Sequence, residues 1–402
     1  MQRGGASTMI PVDPFDKRAR PNPYPVYQYM RTVEPVHRSP IGFWILTRYA
    51  DCKAVLEDPR WSHDGDSLLE PQRKPADPVD PLVRLVRASI TFSDPPAHTR
   101  HRRALESAIK PAMRGLAPKI VQTAGSLIDL MLEAKGEIDL MSAYAAPLPL
   151  TVLSDVLGLP ASDRGQLHHW GRDIAQGLDP GVRSSGVIRA GAAAVAMVEY
   201  LQDQIDASRK STSAGIIRTL AASTSKLSTW ELVADLTMFL VTGVEASCAL
   251  IGNAVLALLR DPDQLRQLHS RPALIENGLE ELVRYDGPVH LTARVAMEDI
   301  VVGGSTIAKG EQALVLLGAA NRDPARFNDP DRLDLGRMDN EHLGFGSGAH
   351  GCFAAALGRA FGRAAIGTLV ARLAGLELDG EPEWSNSVTL RTLSRLPVRL
   401  GS

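Results

Sequence analysis

One cysteine in this sequence stands in surroundings that could make it a metal ligand. Cys352 closes the run Phe345-Gly346-Ser347-Gly348-Ala349-His350-Gly351-Cys352 and leads into a helical pattern. At a helix N-terminus, unpaired backbone N–H groups and the helix dipole favour a thiolate over a thiol. The glycines remove side chains from the approach, so backbone could lie flat against a large planar ligand. A thiolate facing such a ligand points to haem iron with cysteine as its axial ligand. Gly346, Gly348 and Gly351 also spell GxGxxG, but that fingerprint needs a buried strand upstream, and residues 337–342 are polar and charged. No GK[ST] phosphate loop, HExxH pair or GxSxG elbow occurs. His98 and His101 are three apart, but no carboxylate or cysteine joins them at ligand spacing, which argues against zinc. Cys52 and Cys248 lack comparable surroundings and read as small buried thiols.

The elements that must position Cys352 are mostly helices. Ser228 and Glu231 form a capping box ahead of a hydrophobic run that can continue to Arg260, where Asp261-Pro262 stops it. At 1.5 Å per residue this helix is roughly 45 Å long. Asp94, followed by Pro95 and Pro96, predicts a second helix start capped by that acid. Further helices are expected over 273–285 and 352–374. Strand-like segments fall at 43–47, 293–295, 300–302 and 312–316, with a hairpin turn at Gly303-Gly304. Proline-rich loops occur at the N-terminus and over 70–82. The polar loop over 321–337 has no periodicity and leads to the glycine-rich run, and a long irregular loop inside a compact domain usually has a job.

Taken together these segments resemble the cytochrome P-450 family, over most of the chain. Phe345 to Cys352 matches its haem-binding loop FGxGxHxC, which Gly358-Arg359 extends, and Glu281-Leu282-Val283-Arg284 matches its ExxR. Residues 94–103 look like the opening of its C helix, and Thr242-Gly243-Val244-Glu245-Ala246-Ser247 falls where its long I helix carries an AGxET-like signature. The resemblance implies a mainly α fold with a small β portion, one domain over 1–402, and haem b between the I helix and the helix after Cys352. It implies Cys352 as iron ligand within a loop that includes Phe345 and Gly346. It places His98, Arg102, Arg294 and His350 on the haem propionates, and Glu281, Arg284 and Arg332 in a network pinning the cysteine loop. Where the family has an acid followed by threonine to relay protons, this sequence has Glu245, then Ala246 and Ser247. Ser247 or a water could do the work, or a substrate hydroxyl could complete the relay.

Composition agrees and narrows the field. The 402 residues carry a net charge of −2 and are 44% hydrophobic, too apolar for a disordered chain. The near-neutral balance gives no reason to expect nucleic acid or an anionic membrane as partner. Only 5% of residues are aromatic, so the core must be built mainly from Leu, Val, Ile and Ala. Three scattered cysteines make no disulfide framework, which fits a reducing cytoplasm. The apolar stretch over 232–259 carries Asp235, Glu245 and Asn253, each costly in hydrocarbon, and reads as a core helix rather than a span. No signal peptide or anchor is expected.

The reaction implied is O₂ activation, with hydroxylation or epoxidation of a bulky secondary metabolite such as a polyketide or macrolide. A haem-thiolate oxidase doing oxidative coupling, dehydrogenation or peroxide chemistry is the alternative that Ala246 keeps open; a non-catalytic haem protein is a third. No flavin or iron–sulfur segment is evident, so electrons should come from NAD(P)H through a ferredoxin reductase and a ferredoxin. Arg100, Arg103, Arg359 and Arg363 could form a basic docking patch. The pocket is expected to be lined near 61–90, 165–200, 242–246, 290–293 and 387–390, with Arg84, Arg87, His290 and Thr292 as polar points.

Overall fold

The central element is a helix of 32 residues, Thr229–Arg260, and it begins and ends where its sequence says it should. Ser228 Oγ accepts from the Glu231 N–H at 3.2 Å while the Glu231 carboxylate accepts from the Ser228 N–H at 2.7 Å. Asp261 then turns the chain and caps the next helix, Pro262–Ser270, by accepting from the Gln264 N–H. The helix is long and apolar enough to cross a membrane, but 67% of its most apolar window is buried inside the fold. Three of its polar residues are fully buried, Asp235, Thr237 and Asn253, and two of them have side-chain partners within the protein. Asp235 accepts from the Ile90 N–H at 2.7 Å and faces His101 Nδ1 at 2.6 Å, while Asn253 donates to the carbonyls of Asp286 and Arg391.

This is a computed structural model, which describes residues 13–401 except 41, 70–79, 135, 181, 183, 211–214 and 224–226. Most of the proline-rich stretch over 70–82 therefore lies outside the described residues, as do the first twelve residues. Around the central helix lie Ala97–Ala112, Leu116–Glu133, Arg164–Gly177, Ser184–Lys210, Ile275–Asp286 and Ala355–Arg372. The core between them is Leu, Ile, Val and Ala with few rings, as the low aromatic content requires.

The β portion is small. Its main sheet runs in the order Val36–Arg38, Trp44–Leu46, Gln312–Leu316, Leu291–Ala296, Trp61–Ser62, with only the Trp44–Leu46 and Gln312–Leu316 pair parallel. Ile300–Val302 and Ser305–Ile307 form the hairpin expected at Gly303-Gly304, whose φ angles of 55° and 85° suit glycine.

Two expectations about helix starts are corrected. Asp94 does not cap the helix that begins at Ala97; its carboxylate is held by the Ser62 hydroxyl and by the His63 N–H at 2.9 Å. The last long helix begins at Ala355 rather than 352, so Cys352 lies in the turn before it, its own carbonyl accepting from the Ala355 N–H.

Candidate functional site

The cysteine turn is shaped by backbone. The Cys352 N–H donates to the Phe345 carbonyl at 2.8 Å, closing the loop, and the Gly351 N–H donates to that of Gly348. Gly348 has φ 67°, and a Cβ there would meet the Leu56 carbonyl oxygen at 2.3 Å, so only glycine lets the loop approach residues 56 and 57. Ser347 Oγ fastens the same junction to Glu57 at 2.6 Å. Phe345 is clamped between the Arg359 guanidinium, 4.4 Å from its ring centroid, and Gly358. Cys352 keeps an exposed face, although enclosing protein desolvates its thiol and raises its pKa. The Ala354 N–H and the charges of Arg102 and Arg359 pull the other way. The thiolate expected from a helix start alone thus meets an opposing desolvation. A cation at the exposed face would tip the balance to thiolate.

Glu281 and Arg284, one turn apart, are fully buried and paired at 2.7 and 2.8 Å. The third member expected, Arg332, is not in the network: its side chain is exposed, and it contributes only a carbonyl that accepts from Arg284. Arg337 takes that place, its Nε 3.0 Å from Glu281 Oε2. The reason lies in the turn: Leu333 and Leu335 go into the core, and only past them does the chain bring a guanidinium round to Glu281. Arg284 also donates to the carbonyls of Asn321 and Pro330, and Arg337 to that of Asn328. The polar loop is therefore stitched by its backbone to this one helix.

His98, Arg102, Arg294 and His350 come together from three separate segments. The His98 and His350 rings lie 4.2 Å apart, and Arg102 donates to the carbonyls of Ala349 and Gly351 at 3.0 and 2.7 Å. Arg294 is only 3% exposed and donates to the Thr292 hydroxyl and the Ala293 carbonyl; no carboxylate among the described residues is bonded to it, although the charge of Asp94 acts on it. Burial pulls its pKa down to about 10, and that of His98 down to about 4 with help from His350 and Arg102. Sequence reasoning missed His63, which is buried, stacks on Phe92 and lies 5.1 Å from the His350 ring. No spacing rule marks it, because its neighbours come from residues 91–94 and 350.

Along the central helix, residues 232–241 are buried and so are 249–258, but Thr242 is exposed, and Gly243 and residues 245–248 are partly so. The window opens where Phe239 lies 6.3 Å from Phe353, beside the cysteine. Glu245 and Cys248, within this window, line a cavity of about 730 Å³ together with Arg172, His168 and Ser142. Burial raises the Glu245 pKa, and Arg172 opposes this. Ala246 offers no hydroxyl, and the Ser247 hydroxyl makes no hydrogen bond among the described residues.

Haem fits this donor set. A sulfur with an exposed face lies in a loop opposite an accessible strip of helix. Beside the loop, a buried arginine bonded to no carboxylate among the described residues joins three further cationic or imidazole groups, the complement that two propionates need. His98, Arg102, Arg294 and His350 could hold the propionates and Cys352 the iron. The profile of the family described as Cytochrome P-450 matches residues 272–374, which include Glu281, Arg284 and Cys352. Cytochrome P-450 107B1 of Saccharopolyspora erythraea is 36% identical over 94% of this chain and 94% of its own length. The chain belongs to the cytochrome P-450 family. Mycinamicin IV hydroxylase/epoxidase of Micromonospora griseorubida is 34% identical over 92% of the chain and 94% of its own length. Among solved structures, that of P-450BioI with hexadec-9Z-enoic acid ligated acyl carrier protein superposes with a TM-score of 0.90 at 32% identity, covering 96% of this chain and 100% of that one. This P-450 is thus a monooxygenase with a haem cofactor, on a mainly helical fold shared with its relatives.

Proposed function

We propose that this P-450 inserts one atom of O₂ into a bulky, partly oxygenated secondary metabolite of polyketide or macrolide type, by hydroxylation or epoxidation. The observation that carries the reading is Cys352, exposed at one face and held in a glycine loop among His98, Arg102, Arg294 and His350. Haem bound there supplies O₂ activation driven by two electrons, with a thiolate donating electron density to iron. The protein's part is to hold and to deliver. Cys352 ligates the metal, the four basic groups orient the propionates, and Glu281 with Arg284 and Arg337 keeps the loop in place. Glu245, raised in pKa and facing a polar cavity, carries protons inward. The cavity's apolar residues Val182, Val244, Leu390 and Leu393 and its polar Ser142, Gln176 and Thr392 suit a large molecule with several oxygens. The name of the mycinamicin-oxidising relative points the same way.

Electrons reach this site from NAD(P)H through a ferredoxin reductase and a ferredoxin, and the chain works as one domain in the cytoplasm. Ala246 favours one second reading, oxidative coupling without oxygen transfer. Turnover under ¹⁸O₂ separates the two: labelled product supports oxygen insertion, and unlabelled product supports coupling. The site itself is tested by the reduced carbonyl adduct, which should have the thiolate-type Soret band in wild type. Cys352→His should give the band of a histidine-ligated iron or bind no haem. A wild-type adduct of the histidine type would end the proposal.

A further inference from the structure

Two imidazoles three positions apart on the helix Ala97–Ala112 serve different partners. His98 lies against His350, whereas His101, 2% exposed, meets the central helix, its Nδ1 2.6 Å from Asp235 Oδ2. The other oxygen of the same carboxylate accepts from the Ile90 N–H at 2.7 Å. Asp235 is fully buried, so water does not compete for either bond. His101 Nε2 lies 3.5 Å from Glu231, one turn earlier on the central helix, which also pairs with Arg100 and closes the capping box. Both segments held by Asp235 lead to groups on the propionate side. His101 shares its helix with His98 and Arg102. Ile90 opens the turn Ile90–Phe92, whose Phe92 ring stacks on His63, and His63 lies beside His350.

We propose that Asp235 is a positioning residue for haem: through Ile90 and His101 it sets the turn beside His63, and the helix carrying His98 and Arg102, against the central helix. This role rests on the haem reading of the site. A carboxylate is costly in a protein interior, and a pair of leucines could fill the Asp235–His101 contact without a charge. Leucines could not supply an acceptor for the Ile90 N–H or a directional tie to His101. Bonds to an ionised acceptor are short and directional, so a small shift of either segment stretches them. Apolar packing is non-directional: it resists separation but tolerates sliding. The carboxylate therefore fixes where the two segments sit, which is what groups aimed at propionates need.

The test separates holding haem from holding the fold. Wild type, Asp235→Ala, Asp235→Asn and the double variant His101→Leu/Asp235→Leu are compared in two measurements. One is the melting temperature of the haem-free protein, the other the rate of haem transfer from loaded protein to apomyoglobin. Asp235→Ala leaves His101 and the Ile90 N–H without their partner, and should both melt lower and lose haem at least about tenfold faster. Asp235→Asn keeps an oxygen for Ile90 and offers an amide N–H to His101 Nδ1, and should hold haem within about twofold of wild type. The double variant should melt no lower than wild type when haem-free, yet release haem as fast as Asp235→Ala. If it holds haem as firmly as wild type, Asp235 is structural only and the proposal is overturned. Haem loss from Asp235→Asn as fast as from Asp235→Ala overturns it too, and that comparison decides alone should the double variant not fold. Wild type that takes up no haem would end the haem reading and this role together; haem held equally by all four proteins ends this role alone.

Discussion

The methyl group of Ala246 cannot donate a proton, and the neighbouring hydroxyls differ in what they have left to give. Thr242 already donates to the Met238 carbonyl at 2.6 Å, whereas the Ser247 hydroxyl has no protein partner among the described residues. Ser247→Ala should therefore lower product formed per NAD(P)H if the chain supplies its own donor. It should leave coupling unchanged if the substrate hydroxyl does. Glu245 joins function to stability. Its folded pKa lies above the ordinary 4.5 because of burial, so the unfolded chain gives up the proton first as pH rises. The stabilisation present below 4.5 is lost as pH climbs towards the folded value, and ionised Glu245 burdens the fold above it. Glu245→Gln should thus melt no lower than wild type at pH 8 while turning over at least about tenfold more slowly. Equal turnover would make Glu245 a structural residue. Arg294 follows similar logic, since its guanidinium is buried and bonded to no carboxylate among the described residues, with only the charge of Asp94 acting on it from nearby. Arg294→Met should leave the haem-free protein as stable as wild type or more so. Haem transfer to apomyoglobin should speed up at least about tenfold, the scale of one lost charged hydrogen bond.

At the scale of elements, the sequence is legible where the decisive contact is local. The central helix begins at Ser228 and stops at Asp261 because both signals act within four residues. The hairpin at Gly303-Gly304 was readable for the same reason. Asp94 looked like a cap and is not one, because Ser62 and His63, some thirty positions away, claim its carboxylate. Arg332 and Arg337 show the same limit inside one loop. Both are arginines in an irregular polar stretch, and only the burial of Leu333 and Leu335 decides which guanidinium faces Glu281. The cysteine loop and its four basic companions could be found by resemblance, but His63 and the partners of Asp235 could not, since each contact joins residues distant in sequence. The assignment of Arg337 has a direct consequence. Arg337→Ala leaves a fully buried carboxylate with one partner fewer and should cost about 3 kcal/mol, with haem bound less firmly. Arg332→Ala should stay within about 0.5 kcal/mol of wild type. Chemical denaturation of the two variants side by side checks this, and equal losses would return Arg332 to the network.

For the whole molecule, the open question is how electrons arrive, and the charge map around the cysteine loop constrains the answer. By sequence, Arg100, Arg103, Arg359 and Arg363 could form a basic docking patch. Three of them are largely answered from within: Arg100 pairs with Glu231, Arg359 with Glu280 at 2.9 Å, and Arg363 with Glu276 at 2.8 Å. Arg102 beside them is bonded to Glu106 and to the cysteine loop. Arg103 is exposed and makes no ion pair among the described residues. Charges that cancel over a few ångströms contribute little to a field that must act across a Debye length of about 8 Å at physiological salt. Steering by an acidic ferredoxin should therefore depend on one or two net charges rather than four. The rate of reduction by ferredoxin should then fall only a few-fold as salt rises from about 50 to about 500 mM, since strongly steered association falls far more steeply. Arg103→Glu should slow reduction about tenfold at low salt and little at high salt, without changing peroxide-driven turnover, which bypasses the ferredoxin. A hundredfold fall with salt in the wild type, undiminished by Arg103→Glu, would show that the docking face lies elsewhere on the surface.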